Sequence, residues 1–288
     1  MDDHGKEKII IEIKKHFKKI KVSNGTLVNS ISLKEVQKIA ISFNLYGYQV
    51  EIMALENETI PRRYLRNIGT INIKGQIKLL KSKVAVVGLG GLGGTVVELL
   101  ARFGVGRILV IDGDIFEESN LNRQLLVTEE NIGEEKTISS IKRVAKINSS
   151  VKVCPYQIKA GEKEFKKILK DSDVIVSALD TFSTRLALQK AAKELKIPLI
   201  HGAIAGFIGE ISTIFPEDPG LDLIDSFFRK EERGVEVSLG IPVVTPVLVA
   251  ALQAQEVVKI LLKIGKPLRN RLLFLDCETS SIEMIELK

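Results

Sequence analysis

A glycine-rich stretch and the acid that follows it have the spacing of a nucleotide site. Gly88, Gly90 and Gly93 form a GxGxxG pattern that also contains Gly91, and Asp112 follows nineteen positions after Gly93. Such glycines let the backbone approach a phosphate, the helix that begins there offers amide donors, and the acid can hold ribose hydroxyls. Because a dinucleotide-dependent oxidoreductase uses the same pattern, the glycines predict a bound nucleotide without choosing the reaction.

A second set of polar residues is of the types that bind a polyphosphate. It consists of Asp114, Asn120, Arg123, Gln124, Lys136 and Asp180. Arg123 and Lys136 could neutralise phosphate oxygens, and Asp180 could hold Mg²⁺, which proteins bind through few carboxylates together with phosphate. A dehydrogenase has no need of such a set, so the combination favours chemistry on a polyphosphate over hydride transfer.

Each of these polar residues also has a purely structural alternative. Asp180 could cap the helix that begins near Thr184, Asn120 could make a turn, and Lys136 could be a solvated surface charge. Taken singly, Asn120 and Lys136 fit the structural alternative better. It is the joint spacing of the set that favours a binding site.

The elements that must position these residues alternate between short apolar strands and helices. Strands are predicted at 83–88, 107–112, 151–157, 173–178 and 199–202, and helices at 91–103, 134–146, 163–169 and 184–195. The strands are rich in β-branched residues, as expected where helices cover both faces of a parallel sheet. The pattern predicts a doubly wound, Rossmann-like α/β sheet in which the polar residues project from the carboxyl ends of the strands.

The pattern changes after residue 202. A strand is predicted at 207–215, a long helix at 245–263, and a closing antiparallel hairpin from strands at 271–276 and 282–287. The sheet is therefore expected to be mostly parallel with antiparallel C-terminal strands. The polar segment 217–240 lacks a clear period, and an irregular stretch of this length is typical of a functional loop.

Residues 1–60 predict a small helical N-terminal module before a nucleotide-binding domain at 61–288. Three helices are predicted, at 9–20, 33–44 and 49–56, the second opened by a Ser32-x-x-Glu35 capping box. No arginine cluster lies on a candidate recognition helix, so a partner-binding or packing role is favoured over DNA binding.

The composition indicates an ordinary soluble globular protein, with 288 residues of which 45% are hydrophobic and 27% charged. No apolar run approaches the roughly 20 residues that span a bilayer, and the charged first stretch lacks a secretory cleavage pattern. We therefore expect a cytoplasmic protein with no membrane partner. The net charge of +6 is mild and spread along the chain, so nucleic acid is not expected as a partner.

Five segments of the sequence resemble those of one enzyme family. They are VGLGGLGG, IDGDIFEESNLNRQ, IGEEK, ALDTFSTR and IPLIHGAIAGFIGEIS. Together they resemble the MoeB/ThiF/HesA family of ubiquitin-activating-enzyme-like adenylyltransferases over about residues 63–288, and SNLNRQ after DGD is the most specific part. The resemblance implies an enzyme that uses ATP and Mg²⁺.

The resemblance also assigns roles to the residues singled out above. It implies that Asp112 binds the ribose and that Lys136 binds the triphosphate. It implies that Asp180 holds magnesium at the reaction centre. The phosphates would be bound by Asn120, Arg123 and Gln124, and the nucleotide site would also include Gly88, Gly90, Gly91, Gly93 and Asp114. Arg63-Tyr64-Leu65-Arg66 resembles the family's RYxRQ motif, although Asn67 replaces the glutamine. By that resemblance Arg66 reaches the ATP of the partner subunit in a homodimer. The structural alternative makes Arg62, Arg63 and Arg66 solvated surface charges.

The implied reaction is adenylation of a small ubiquitin-like sulfur-carrier protein that ends in Gly-Gly. The carrier's C-terminal carboxylate attacks the α-phosphorus of ATP, giving an acyl-adenylate and pyrophosphate. This carboxylate is ionised at neutral pH and needs no general base, so catalysis is positioning and charge stabilisation. Residues 217–240 would form the crossover loop over the carrier's tail.

Two departures from the family pattern limit what the resemblance implies. Many members hold structural zinc through two CxxC pairs, and this sequence has only Cys154 and Cys277, so no zinc is predicted. Many also carry a cysteine before the long helix, where this sequence reads GVEVSLGIPVVTP. Adenylation without a covalent sulfur or thioester step is therefore the expectation.

Four alternatives to sulfur-carrier adenylation stay open. One is a family member that activates a peptide C-terminus, with residues 1–60 as a substrate clamp. Another is a tRNA threonylcarbamoyladenosine dehydratase, which usually shows NTNRQ and a different glycine turn. An NAD-dependent oxidoreductase would need a catalytic acid or base that we do not find. The inactive half of a heterodimer would tend to lose the arginines and the metal-binding acid, which this sequence keeps.

Overall fold

The structure of the protein is a computed structural model that describes residues 3–22, 25–159, 161–223 and 239–287. Its N-terminal part contains α1 (Asp3–His16), β1 (Lys18–Lys21), β2 (Leu27–Ile31), α2 (Leu33–Ser42), α3 (Gly47–Glu56) and β3 (Thr59–Pro61). The chain continues with α4 (Ile68–Lys81), β4 (Lys83–Val87), α5 (Gly91–Phe103), β5 (Arg107–Asp112), α6 (Lys136–Ile147), β6 (Lys152–Gln157), α7 (Glu162–Leu169), β7 (Val174–Ser177), α8 (Phe182–Leu195), β8 (Leu199–Ala205), β9 (Ile208–Ile214), α9 (Val244–Leu262), β10 (Arg271–Asp276) and β11 (Ser281–Glu286).

The described residues form two sheets, and the larger has eight strands in the order β11-β10-β9-β8-β7-β4-β5-β6. The strands from β8 to β6 in this order run parallel, and β9, β10 and β11 are antiparallel to their neighbours. This confirms the predicted fold class. From β4 the chain continues to β5 on one side and later returns to β7 on the other, which creates a switch point at the carboxyl end of β4, where such sheets bind ligands.

Successive residues of the central strands face two different cores. Val84 and Val86 of β4 pack in a cluster with α5 and α9, whereas Ala85 and Val87 pack in a cluster with α7 and α8. This alternation follows from the two-residue repeat of a strand. Because helices cover both faces, all four side chains are buried and the strand reads as one apolar run in the sequence.

The expectation that no apolar run approaches a membrane-spanning length is wrong for one helix. Among the described helices, α9 is long and apolar enough to cross a membrane by length and composition, with a mean hydropathy of 1.4. In the fold, however, 56% of that window is buried, and α9 packs on α5, β8 and β9. Burial in the protein core accounts for its apolar composition.

The N-terminal part contains the predicted helices together with a sheet that the sequence did not predict. The first helix ends at His16, and Ile20 lies in β1, where it pairs with Val28 of β2. Strand β2 pairs in parallel with β3, which completes a three-stranded sheet. Ile20 was expected on the helix because its spacing from Phe17 fits a helical face, but it also alternates with Lys19 and Lys21, as in a strand.

Two boundaries in the C-terminal half bear on the site. Strand β8 extends to Ala205 rather than residue 202, because it forms an antiparallel hairpin with β9 that is closed by the Ala205–Ile208 pair. The predicted crossover loop at 217–240 falls largely on residues 224–238, which lie outside the described residues.

Candidate active site

The glycine turn between β4 and α5 has room only for glycine at two positions. Gly88 has a φ of +90°, and a Cβ there would lie 2.4 Å from the carbonyl oxygen of Ala178. A Cβ on Gly93 would lie 1.8 Å from the carbonyl oxygen of Gly88. This close packing places the first turn of α5, which begins at Gly91, at the switch point of the sheet. Its free amide groups are available there to an anion.

Asp112 connects the end of β5 to this turn. Its Oδ2 accepts a hydrogen bond of 2.6 Å from the amide of Leu89, and its Oδ1 accepts one of 2.8 Å from the amide of Asp114. Burial raises the pKa of the Asp112 carboxyl, while the two amide donors and the charge of Lys136 oppose the rise. The carboxylate is therefore bonded to the glycine turn, and its role in binding the ribose stays a prediction.

Lys136 is the first residue of α6 and is not the solvated surface charge of the structural alternative. Its side chain is 8% exposed, and its Nζ lies 3.6 Å from Oδ2 of Asp114, which is 53% exposed. The backbone amide of Lys136 also donates to the carbonyl oxygen of Asp114 at 3.2 Å. A buried lysine side chain thus lies beside the end of β5, and among the described residues its ion partner is an exposed carboxylate.

A second cation, which the sequence analysis missed, shares this carboxylate. Nζ of Lys159 lies 3.3 Å from Oδ1 of Asp114, and the Lys159 side chain is 82% exposed. A Cβ on Gly113 would lie 2.4 Å from Cγ of Lys159, so the glycine makes room for this side chain. The sequence signal was its position just after β6, the strand paired with β5.

The SNLNRQ loop presents three polar side chains with different partners. Oδ1 of the buried Asn120 accepts a 3.2 Å hydrogen bond from the amide of Glu117. This contact within the loop fits the structural alternative, in which Asn120 makes a turn. Nη1 of Arg123 donates to the carbonyl oxygen of Ser119 at 2.9 Å and to Oδ1 of Asn122 at 2.7 Å. These bonds hold the guanidinium along its own loop.

Gln124 is the member of the loop that points to a ligand. Its side chain is 6% exposed, and its Nε2 lies 3.8 Å from where a Cβ on Gly90 would be. Its Oε1 is buried and has no hydrogen-bond partner among the residues that the structure describes. Buried polar atoms are nearly always satisfied, so an unpaired acceptor here fits a ligand that brings a hydrogen-bond donor, such as a hydroxyl or amino group of a nucleotide.

Asp180 follows β7, the strand beside β4, and reaches the same edge of the sheet. The capping alternative is wrong, because Thr181 rather than Asp180 is the N-cap residue of α8. The Asp180 carboxylate is exposed and has no hydrogen bond or ion pair with the described residues. Within the same part of the chain there is no group of three or more His, Cys, Asp or Glu residues placed so that it could hold a metal ion. A single free carboxylate fits Mg²⁺, because that ion is commonly held by one or two carboxylates together with substrate phosphates.

Comparison with known proteins identifies the family. Residues 64–288 match the ThiF family, which is more than half of the chain. The chain belongs to the ThiF family.

Several ThiF-type relatives match this chain over most of their own length. The chain is 36% identical over 228 residues to the SAMP-activating enzyme E1 of Haloferax volcanii, covering 77% of this chain and 84% of the relative. It is 34% identical over 231 residues to the sulfur carrier protein adenylyltransferase of Thermus thermophilus, covering 75% and 82%. It is 33% identical over 230 residues to the molybdopterin-synthase adenylyltransferase of Haemophilus influenzae, covering 78% and 94%.

Solved structures share the fold of this ThiF-family chain. The crystal structure of E. coli MccB with AMPCPP and MccA superposes with a TM-score of 0.68 at 23% identity, covering 88% of this chain and 79% of that one. The structure of PaaA superposes with a TM-score of 0.66 at 23% identity, covering 78% and 73%.

Arg66 does not join the other predicted site residues of this ThiF-family chain. Tyr64, two residues earlier, packs beside Gly104, where a Cβ would lie 2.6 Å from the tyrosine ring, and its hydroxyl accepts a 2.9 Å hydrogen bond from Asn148. Gly104 and Asn148 precede β5 and β6, so Tyr64 lies at the amino-terminal edge of the sheet. The glycine turn lies at the carboxyl edge, separated by the six residues of β5, or about 20 Å.

Arg63 is not a solvated charge either. Its Nε lies 3.4 Å from Oε1 of the buried Glu51, and its Nη1 donates to Oδ1 of Asn148. The motif RYLR is thus held in place by contacts on both sides, while Arg66 itself is exposed.

Proposed function

We propose that the protein is an ATP-dependent adenylyltransferase that activates the C-terminal glycine carboxylate of a small ubiquitin-like sulfur-carrier protein ending in Gly-Gly. The observation that carries the proposal is the buried side chain of Lys136, whose charge acts on Asp112, the acid bonded to the glycine turn. A cation, a glycine turn and a carboxylate in this arrangement suit a triphosphate on a ribose. The names of the relatives from Haloferax, Thermus and Haemophilus support the same substrate class.

Each polar group takes a defined part in binding the substrates. The amides at the start of α5 receive a phosphate, and Asp112 accepts hydrogen bonds from the ribose hydroxyls. Lys136 and Arg123 neutralise phosphate oxygens, and the free amide oxygen of Gln124 accepts a hydrogen bond from the nucleotide. Asp180 would hold Mg²⁺, which supplies positive charge to the phosphates and to the leaving pyrophosphate.

The chemical step requires no proton transfer from the protein. A carboxylate oxygen of the carrier forms a bond to the α-phosphorus of ATP, and the bond from that phosphorus to the oxygen bridging it to the β-phosphate breaks. The electron pair leaves with pyrophosphate, and the carrier keeps an acyl-adenylate. Because the nucleophile is already an anion, fixed cations are the groups that lower the barrier, through positioning and charge stabilisation.

We further propose that the protein works as a cytoplasmic homodimer in which Arg66 of the partner subunit completes each site. The separation of Tyr64 from the glycine turn supports this arrangement, because within one chain the RYLR motif and the nucleotide crevice lie at opposite edges of the sheet.

The test of this proposal is ATP–pyrophosphate exchange in the presence of a purified carrier that ends in Gly-Gly. We expect exchange by the wild type and its loss in Arg123→Ala and Asp180→Ala. Arg102→Ala is the matched arginine control, because Arg102 lies at the far end of α5 and its exposed side chain pairs with Glu98. If the protein binds NADH but not ATP, the adenylation proposal is wrong.

Activation of a peptide C-terminus is the second candidate within the family. What favours it is the N-terminal part, whose three-stranded sheet and helices precede the residues that match the family. In the same exchange assay, a short peptide library replaces the carrier. Exchange with peptides and none with any Gly-Gly carrier would select this candidate.

A further inference from the structure

Glu51 is a buried carboxylate that the proposed chemistry does not use. It lies on α3 and is 0% exposed. Its Oε1 accepts a 2.9 Å hydrogen bond from the Ser150 hydroxyl, and its Oε2 accepts one of 3.1 Å from the Tyr64 hydroxyl. Arg63 supplies the opposite charge, with its Nε 3.4 Å from Oε1. Burial raises the pKa of Glu51, and Arg63 and the two hydroxyl donors oppose the rise.

Asn148 bonds to Arg63 and Tyr64 from the side of the large sheet. Its Nδ2 donates to the Tyr64 hydroxyl at 2.9 Å and to the carbonyl oxygen of Ala101 at 2.8 Å. Its Oδ1 accepts from Nη1 of Arg63 and from the amide of Ser150, the latter at 3.2 Å. Arg63 and Tyr64 therefore have bonds both to α3 of the N-terminal part and to the loop that precedes β6.

The turn that follows is fixed at its other end as well. The Asn67 side chain donates to Oε1 of Gln76 at 2.9 Å, and Nε2 of Gln76 donates to the carbonyl oxygen of Phe103 at 2.9 Å. The amide of Asn67 also bonds the carbonyl oxygen of Tyr64 at 2.9 Å. Arg66 is an exposed residue inside this turn, so the backbone that carries its side chain is held by hydrogen bonds on both sides.

We infer that Glu51 is a positioning residue, through which the N-terminal part aims Arg66 at the nucleotide of a second copy of the chain. This inference rests on the proposed function. Stability alone does not account for the buried pair, because a buried ion pair often contributes no more to stability than well-packed apolar residues of the same volume. What Glu51 and Arg63 add is a fixed geometry, since each has directional partners on two elements.

Subunit complementation tests whether Glu51 acts through Arg66. Glu51→Gln alone lowers exchange by about 100-fold, as for a displacement of about 1 Å at a reacting group. Mixed with an equal amount of Asp180→Ala, it recovers about a quarter of wild-type activity, because half of the dimers are mixed and each has one complete site. Mixed with Arg66→Ala, it recovers nothing, because neither chain supplies a correctly placed arginine.

Two further variants separate positioning from a loss of fold. The double variant Glu51→Gln/Arg63→Gln removes both charges and leaves no unpaired buried ion. It replaces Glu51→Gln in the complementation test if that variant fails to fold, and we expect the same pattern from it. Gln37→Ala is the matched control, because it removes the 2.9 Å contact of Gln37 with Ser149, between the same two parts of the chain, without touching Arg63. We expect it to keep wild-type exchange.

Three results would overturn the inference. Undiminished exchange in both Glu51 variants would show that Arg66 needs no such support. Equal recovery with Arg66→Ala and with Asp180→Ala would show that Glu51 acts elsewhere. If Arg66→Ala and Asp180→Ala do not complement each other although subunit exchange is verified, the cross-subunit part of the proposed function fails and the role of Glu51 falls with it. Complementation of that pair without the Glu51 pattern leaves the proposed function standing and removes the inference alone.

Discussion

Replacement of Lys136 by methionine separates catalysis from stability in this site. Methionine keeps the unbranched stem and removes the charge. The lost ion partner, Asp114, is 53% exposed and returns to water, so the free energy of unfolding changes by less than about 1 kcal/mol. The Lys136 side chain is only 8% exposed, and a charge in such a site stabilises a developing phosphate charge far more than one in water. Removal of one preorganised group of this kind costs about 3–4 kcal/mol, or about 10²- to 10³-fold in the exchange rate.

Lys159 provides the matched control, because it pairs with the same carboxylate and differs in burial. Its Nζ lies 3.3 Å from Asp114 and its side chain is 82% exposed. Lys159→Met should therefore lower exchange by less than about 5-fold, the value of a surface charge. Pyrophosphate exchange and urea unfolding are measured for both variants. Equal losses in the two variants, or a loss below 10-fold in Lys136→Met, would refute the argument from burial.

Two further predictions concern the glycine turn and the buried acid. Gly93→Ala places a Cβ 1.8 Å from the Gly88 carbonyl oxygen, so the backbone of the turn must shift. We expect this variant to lose ATP binding in calorimetry and to lose at least about 3 kcal/mol of its free energy of unfolding. Gly69→Ala, with nothing within 4 Å, should be neutral or stabilising by up to about 1 kcal/mol, and similar losses in both would contradict the packing argument. The pKa of Glu51 is raised above its ordinary 4.5, so the folded state binds this proton more tightly than the unfolded state does. The contribution of Glu51 to stability is therefore largest below pH 4.5 and is lost as the pH rises through the folded pKa. Urea unfolding of wild type and Glu51→Gln between pH 4 and 7 measures this contribution, and we expect the free energy of unfolding of wild type, relative to the variant, to rise as the pH falls. A fall in this difference on acidification would refute the assignment.

The parts of the fold that the sequence predicted are those specified by local patterns. The central strands are apolar runs bounded by glycine and polar residues, and β10 was predicted residue for residue. Ile20 was misplaced because its spacing fits two periods, and its pairing with Val28 across a turn decided between them. The division at residues 60 and 61, and the roles of the site residues, stay predictions.

Burial was the part of the site that local patterns did not reveal. Lys136 and Arg63 look like solvated charges in the sequence, yet the first is covered in the fold and the second is bound to Glu51 and Asn148. Glu51 and Ser150 are 99 residues apart in the chain, so their contact follows only from the docking of α3 against the loop before β6. That Asp112, Asp180 and the glycine turn lie at one edge of the sheet could be predicted, because each comes at or just after the carboxyl end of a strand in the same parallel sheet.

The separation of the RYLR motif from the glycine turn has a kinetic consequence under the proposed arrangement. If each site borrows its arginine from another copy, an isolated chain is inactive, and the specific activity becomes a function of the protein's own concentration. Dilution below the dissociation constant of the dimer would then silence the enzyme without any inhibitor. Local abundance would act as a threshold for sulfur-carrier activation.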